Sequence, residues 1–185
     1  MEQDRACESI HPIVIRRERA ADQTAIRKVV GDAFRDQAPP GAVPVEVGLV
    51  DALRTSDEWI PQLSLVADSN DESIVGYVVC TRGWVGDRPA LGLGPLAVAP
   101  SGQRRGTGSA LMHALLGAAD ALGEPLVLLL GHTTYYPRFG FRPASDLGVE
   151  APQADWGPYF QARPLSAYVQ QLRGTFRYAP PFDEL

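Results

Sequence analysis

The residues whose types and spacing carry the plainest chemistry are Gln103-Arg104-Arg105-Gly106-Thr107-Gly108-Ser109. Glycines at 106 and 108 remove side chains where a helix begins, so unpaired backbone N–H groups can converge on an anion with the helix dipole behind them. Arg104 and Arg105 add fixed positive charge, and a guanidinium suits phosphate because its planar fork donates two hydrogen bonds at once. Phosphate binding is the natural use of such a nest. Two rival phosphate loops fail on their residues. Gly102 to Gly106 lacks the Gly-Lys-Ser/Thr ending of a P-loop, and no Gly-x-Gly-x-x-Gly occurs: Leu111 stands three residues after Gly108, and Ala97 three after Gly94. A loop of this composition also arises by chance, so its meaning rests on what flanks it.

The flanking elements are those that present a loop to a ligand. Ala90 to Ala99 is a strand-like run closed by Pro100-Ser101-Gly102, and the loop leads into a helix, Ala110 to Leu122, with Leu111, Leu115, Ala118 and Leu122 on one face and Gly123 as its stop. Leu126 to Leu130 is a continuous apolar strand of the kind buried on both faces, so strand, helix and strand form a βαβ unit with a parallel pair. Upstream, Ile13-Val14-Ile15 reads as a first strand and Arg16-Arg17-Glu18-Arg19 as its solvated end. Helical spacing follows over Asp22–Phe34 (Ala25, Ile26, Val29, Val30, Ala33) and, after Pro39-Pro40-Gly41, over Val45–Leu53. Leu63–Ala67 and Ile74–Cys80 are β-rich runs separated by Asp68 to Ser73, a hairpin pattern. The stretch after Pro143 is rich in Pro, Gly and aromatics, with a strand-like piece at Tyr159–Arg163. The fold class is α/β with a mixed sheet flanked by helices, as one domain over residues 13–185 behind a flexible segment 1–12.

Composition narrows the function classes. With 17 basic and 22 acidic residues among 185, the net charge of −5 supplies no global field for nucleic acid or an anionic membrane surface. The longest unbroken apolar stretch, Leu126–Leu130, is far too short to span a bilayer, and residues 1–12 contain no apolar signal core. Two cysteines, Cys7 and Cys80, make neither a disulfide framework nor a zinc spacing, so the expectation is a cytoplasmic protein without a metal. Cys80 reads as a buried thiol, and His11 and His113 as structural or solvent-exposed side chains.

The order of strand Leu93–Ala99, loop Gln103–Gly108, helix to Leu122, strand Leu126–Leu130 and then Tyr136-Pro137-Arg138-Phe139-Gly140-Phe141 resembles the GCN5-related N-acetyltransferase (GNAT) superfamily. The paired tyrosines 135 and 136, and the closing Gly174-Thr-Phe-Arg-Tyr178-Ala-Pro-Pro-Phe182, look like the bacterial branch of predicted N-acetyltransferases. The resemblance covers residues 13 to 182. It implies a sheet splayed between its fourth and fifth strands, here 93–99 and 126–130, with the pantetheine arm of acetyl-CoA in the gap. It places the backbone of Leu96, Ala97 and Val98 along the pantetheine and thioester. It puts Gln103, Arg104, Arg105, Gly106, Thr107, Gly108 and Ser109 around the pyrophosphate, with Arg104 or Arg105 reaching the 3′-phosphate.

The implied reaction, acetyl transfer to a primary amine in a ternary complex, needs a neutral amine, a donor for the oxyanion and an acid for the departing thiolate. A backbone N–H of Leu96 or Val98 can polarise the carbonyl. Tyr136, four residues before Gly140, stands where the family commonly carries its proton-donating tyrosine, and a phenol of pKa about 10 is protonated at neutral pH; Tyr135 is its alternative. Many family members carry a glutamate on one of the two splayed strands, but neither strand here holds an acid. His132, just past the fifth strand, is the best-placed proton acceptor. The acceptor pocket is expected to draw on residues 35–60, the start of the tail and loop residues such as Trp84 and Trp156, with Glu46, Asp51 and Glu58 available to attract a cationic amine. The acceptor is left as a small-molecule or peptide amine, a homodimer stays open, and a degenerate CoA-binding sensor is the rival function.

Overall fold

The computed structural model describes residues 13–69 and 73–184; the segment 1–12, with Cys7 and His11, and the middle of the Asp68–Ser73 turn lie outside the described residues. The described residues hold nine strands: β1 (Ile13–Arg17), β2 (Trp59–Ser69), β3 (Ser73–Val85), β4 (Arg88–Val98), β5 (Leu126–Leu130), β6 (Arg142–Pro143), β7 (Val149–Glu150), β8 (Phe160–Pro164) and β9 (Gly174–Arg177). Three α-helices accompany them: α1 (Gln23–Ala33), α2 (Val45–Thr55) and α3 (Thr107–Ala121). The sheet order is β1-β2-β3-β4-β5-β8-β6, with β9 bridging β3 and β7. Strands β1 to β4 form an antiparallel meander, whereas β4 and β5 run parallel because α3 crosses between them. The mixed sheet and the βαβ unit therefore stand as the sequence pattern implied.

Two apolar layers hold the sheet. On one face Leu111, Met112, Leu115, Leu116 and Ala119 of α3 pack on Leu63, Val78, Cys80, Leu91 and Val127. On the other, Ile26, Val29 and Val30 of α1 and Val47, Val50 and Leu53 of α2 cover Val66, Tyr77, Val79 and Ala97. Each fully buried Leu or Val of these layers contributes about 1.5–3 kcal/mol relative to exposure. The helical face of α3 is rotated from the sequence expectation: Leu122 is 47% exposed, while Met112, Leu116 and Ala119 are buried. Leu122 is the C-cap of α3, just before the left-handed stop Gly123 at φ +75°, and stands past Ala119, the last buried residue of the helix.

Two other expectations change. The hairpin strands are longer than their apolar cores, because polar edge residues continue the pairing from Ser69↔Ser73 to Trp59↔Thr81. Of the Arg16–Arg19 cluster, Arg17 and Arg19 are exposed as expected, whereas Arg16 and Glu18 are engaged in ion pairs. Arg16 bridges Asp22 at 2.7 Å and Asp68 at 2.8 Å, and Glu18 meets Arg54 at 2.8 Å with both side chains about nine-tenths covered. The hydroxyl of Ser64 joins Glu18 to buried Tyr77. Removing one member of such a pair leaves an uncompensated charge, so this network ties β1 to α2 and the sheet.

Candidate functional site

The parallel pairing of β4 and β5 stops early. Only Leu91↔Val127 and Gly92↔Leu128 are in register, after which the strands part. Strand β5 pairs along its whole length with β8, so it is the β4 side that opens, leaving a fork between Leu93–Val98 and Leu129–Leu130. The fork opens into a cleft of about 1850 Å³ lined by Leu93, Leu96, Val98, Gln103, Arg104 and Gly108 on one wall and by Leu130, Gly131, His132, Tyr135 and Tyr136 on another.

At the open end lies the glycine turn. Gly106 caps α3 in the left-handed region, φ +86°, and Arg104 before it also has a positive φ of 60°. The first intrahelical bond is Ala110 N–H to Gly106 O at 2.9 Å, so the amides of Thr107, Gly108 and Ser109 have no helical acceptor. That is the turn of free amides expected from the sequence. Arg104 and Gly108 face the cleft, whereas Arg105, Gly106, Thr107 and Ser109 belong to the turn without lining it. Thr107 turns inward, its hydroxyl donating to Gly102 O at 3.2 Å. Gln103 donates to Val98 O at 3.2 Å, fixing the end of β4. Of the three β4 residues named from the sequence, Leu96 and Val98 line the cleft; Ala97 is buried on the opposite face beside Tyr77, as strand alternation requires.

The tyrosine pair divides between the two ends of the fork. Both backbone N–H groups donate to His132 O, which anchors the turn. Tyr135 sends its hydroxyl over Gly108, where an added Cβ would stand 2.8 Å away, so it belongs to the nest. Tyr136 lays its ring on Gly131, where an added Cβ would overlap the ring. Gly131 is itself held on both sides, by Gly131 N–H to Tyr159 O and by Gln161 Nε2 donating to Gly131 O, each at 2.9 Å. Burial pushes the Tyr136 phenol up to about 12, with Tyr135 adding to the effect, so it stays protonated far above neutral pH. The His132 side chain is exposed at the cleft wall.

The far half of the cleft is built from distant segments. Phe34, Glu46, Leu49, Glu58, Trp84, Asp155, Trp156, Tyr178, Phe182 and Asp183 line it. Trp84, Trp156, Glu46 and Glu58 were expected there, but Asp51 was misassigned: it pairs with Arg27 and Arg54 outside the cleft. Glu46, Glu58, Asp155 and Asp183 are in no ion pair among the described residues, and the only Lys or Arg side chains in the lining are Arg104 and Arg177. Arg177 sits 5.7 Å from the Trp84 ring centre. Asp155, Tyr178, Phe182 and Asp183 were not singled out for this site; all four lie in the tail, of which only the start was expected here. Cys80 is buried in the α3-side layer with its thiol pushed well up by desolvation, consistent with an inert thiol. Among the described residues no group of three or more His, Cys, Asp or Glu side chains could hold a metal, and no helix is long and apolar enough to cross a membrane.

Comparison with known proteins places this geometry. The acetyltransferase (GNAT) domain family matches residues 61–143, which contain the fork, the nest and both tyrosines. An uncharacterized N-acetyltransferase of Escherichia coli K12, YjhQ, is 34% identical over 173 residues, covering 87% of this chain and 89% of that protein. A GNAT family acetyltransferase from Brucella melitensis, solved with acetyl-CoA, is 30% identical and superposes with a TM-score of 0.75 over 94% of this chain and 99% of its own. The E. coli N-acetyltransferase YhbS, solved with CoA, shares the fold at a TM-score of 0.83 and 24% identity, over 94% and 93% of the two chains.

Proposed function

Since this chain belongs to the GNAT family of acetyltransferases, we propose that it transfers the acetyl group of acetyl-CoA to a primary amine by direct attack in a ternary complex. The observation that carries the reading is the juxtaposition of an anion nest, an open β4/β5 fork and a protonated Tyr136 along one cleft. The B. melitensis relative holds acetyl-CoA, and a donor seated here in the family manner has its pyrophosphate on the Thr107–Ser109 amides and Arg104. Arg105 and the backbone of Gly106 complete the positive turn. The pantetheine arm runs along Leu96, Ala97 and Val98, using backbone for which the fork leaves no strand partner on that side.

In the reaction the amine nitrogen bonds to the thioester carbon and the C–S bond breaks. A β4 backbone N–H, that of Leu96 or Val98, stabilises the oxyanion. Tyr136 gives its proton to the departing thiolate, and His132, at the cleft wall, takes the proton released by the amine, directly or through water. Glu46, Glu58, Asp155 and Asp183 give the acceptor half a negative lining suited to a cationic amine. A CoA-binding sensor is the second reading, favoured by the lack of an acid on β4 and β5.

The test is free-CoA release from acetyl-CoA across small amines, amino acids, aminoglycosides and lysine peptides, beside calorimetric titration of acetyl-CoA. Release with at least one amine supports transfer. Tight binding without release from any acceptor favours the sensor, and no binding removes both readings.

A further inference from the structure

The fork has a floor, and the floor is a side chain from the far end of the chain. Tyr178 follows β9 and lays its ring on Gly92, the last β4 residue in register with β5; an added Cβ there would stand 2.6 Å from the ring. Only a residue without a side chain admits the ring at that position. The ring is braced by Phe176 at 4.7 Å, edge to face, and by Phe182 at 4.6 Å. Phe176 in turn fills the space over Gly83 on the neighbouring strand β3. Tyr178 thus cannot swing aside without repacking a connected aromatic cluster, which also includes Trp156 and Phe160.

The Tyr178 ring lies on the residue where β4 and β5 stop pairing, so it stands at the closed end of the fork. A donor anchored by its phosphates at the nest enters the fork from the Val98 end and runs toward Gly92. Leu93 to Val98 spans roughly 17 Å at about 3.3 Å per strand residue. The acyl group is therefore the leading end, and it meets Tyr178.

We infer that Tyr178, braced by Phe176 and Phe182, is the stop that limits the acyl group of the donor to a short chain, so that longer acyl-CoA esters are excluded by contact with its ring. The inference rests on the acetyl-CoA reading above and adds to it the class of acyl donor. A stop of this kind discriminates by steric overlap, and one or two methylenes against a wall that cannot move change affinity by about tenfold or more.

Because no acceptor is needed, the test is calorimetric binding of CoA, acetyl-CoA, butyryl-CoA and hexanoyl-CoA to the full chain. The wild type is expected to bind acetyl-CoA at least about tenfold more tightly than butyryl-CoA, and Tyr178→Ala to narrow that ratio to below about threefold while CoA itself binds as before. Tyr178→Leu, which keeps an apolar filler in the cluster, gives an intermediate ratio and serves where the alanine variant does not fold. Tyr178→Phe keeps the ring and hence the wild-type ratio. A wild type that binds butyryl-CoA as well as acetyl-CoA overturns the inference and leaves acetyl-CoA binding standing. So does a ratio unchanged in the alanine and leucine variants, or one lost in the phenylalanine variant. A wild type that binds neither CoA nor acetyl-CoA overturns both.

Discussion

The two halves of the cleft are made in opposite ways. The donor half is mostly backbone: three free amides at the start of α3, the unpaired edge of β4, and glycines that let Tyr135 and Tyr136 approach. Apart from Tyr178 at the floor of the fork, its residues come from one stretch, 93–136, so local sequence order builds it. The acceptor half is side chain, from α1, α2, the start of β2, the end of β3 and the tail beyond residue 150. Backbone recognition fits a part of the substrate that does not vary; side-chain recognition leaves the other part open to change. The difference also predicts where damage will show, with donor-half variants altering CoA binding or turnover irrespective of the amine.

The largest break is expected from Tyr136→Phe, which removes the proton but not the ring on Gly131: turnover falls by about 10²–10⁴-fold while the acetyl-CoA dissociation constant stays within about twofold. Because burial raises this phenol to about 12, it is neutral at lower pH and loses its proton only as pH climbs toward that value. An alkaline limb below about pH 10 therefore belongs to another group, and a limb there that vanishes in the variant would contradict the assignment.

Gly131→Ala is the next largest. The new methyl overlaps the Tyr136 ring, and the backbone that carries it is held by Tyr159 and Gln161, so the ring must shift. Turnover is expected to drop by about ten- to a hundredfold with donor affinity little changed. Steady-state kinetics beside calorimetry separates the two.

How much of this was legible follows the same division. The nest, the parallel β4/β5 pair and the tyrosine turn were readable because glycine placement and apolar runs act over a few residues. Even there, Leu122, the C-cap of α3, stands at the surface rather than on the packed face expected for it. The acceptor wall was not readable in full. Glu58 was named as a candidate acid but so was Asp51, and only the pairing of Asp51 with Arg27 of α1 and with Arg54 one turn along its own helix tells them apart. Tyr178 and Phe182 gave no signal of their role, since what places them is Gly92, some 86 residues away in sequence (178 − 92).

Arg104→Ala gives the smallest of the three effects. One partly solvated cation is removed from a nest whose amides remain, so acetyl-CoA binding weakens by about tenfold, and by less at high salt because the lost interaction is screened. An Arg104→Ala variant with unchanged affinity and unchanged salt dependence would move the phosphates away from this turn.

The most direct measurement is a crystal structure of the chain with acetyl-CoA. The expected result has the pyrophosphate within hydrogen-bonding distance of the Thr107, Gly108 and Ser109 amides, the pantetheine paired with the Leu96–Val98 backbone, and the thioester in the fork between Leu93 and Leu130 beside Tyr136. Acetyl-CoA bound elsewhere, or with its thioester outside the fork, would contradict it.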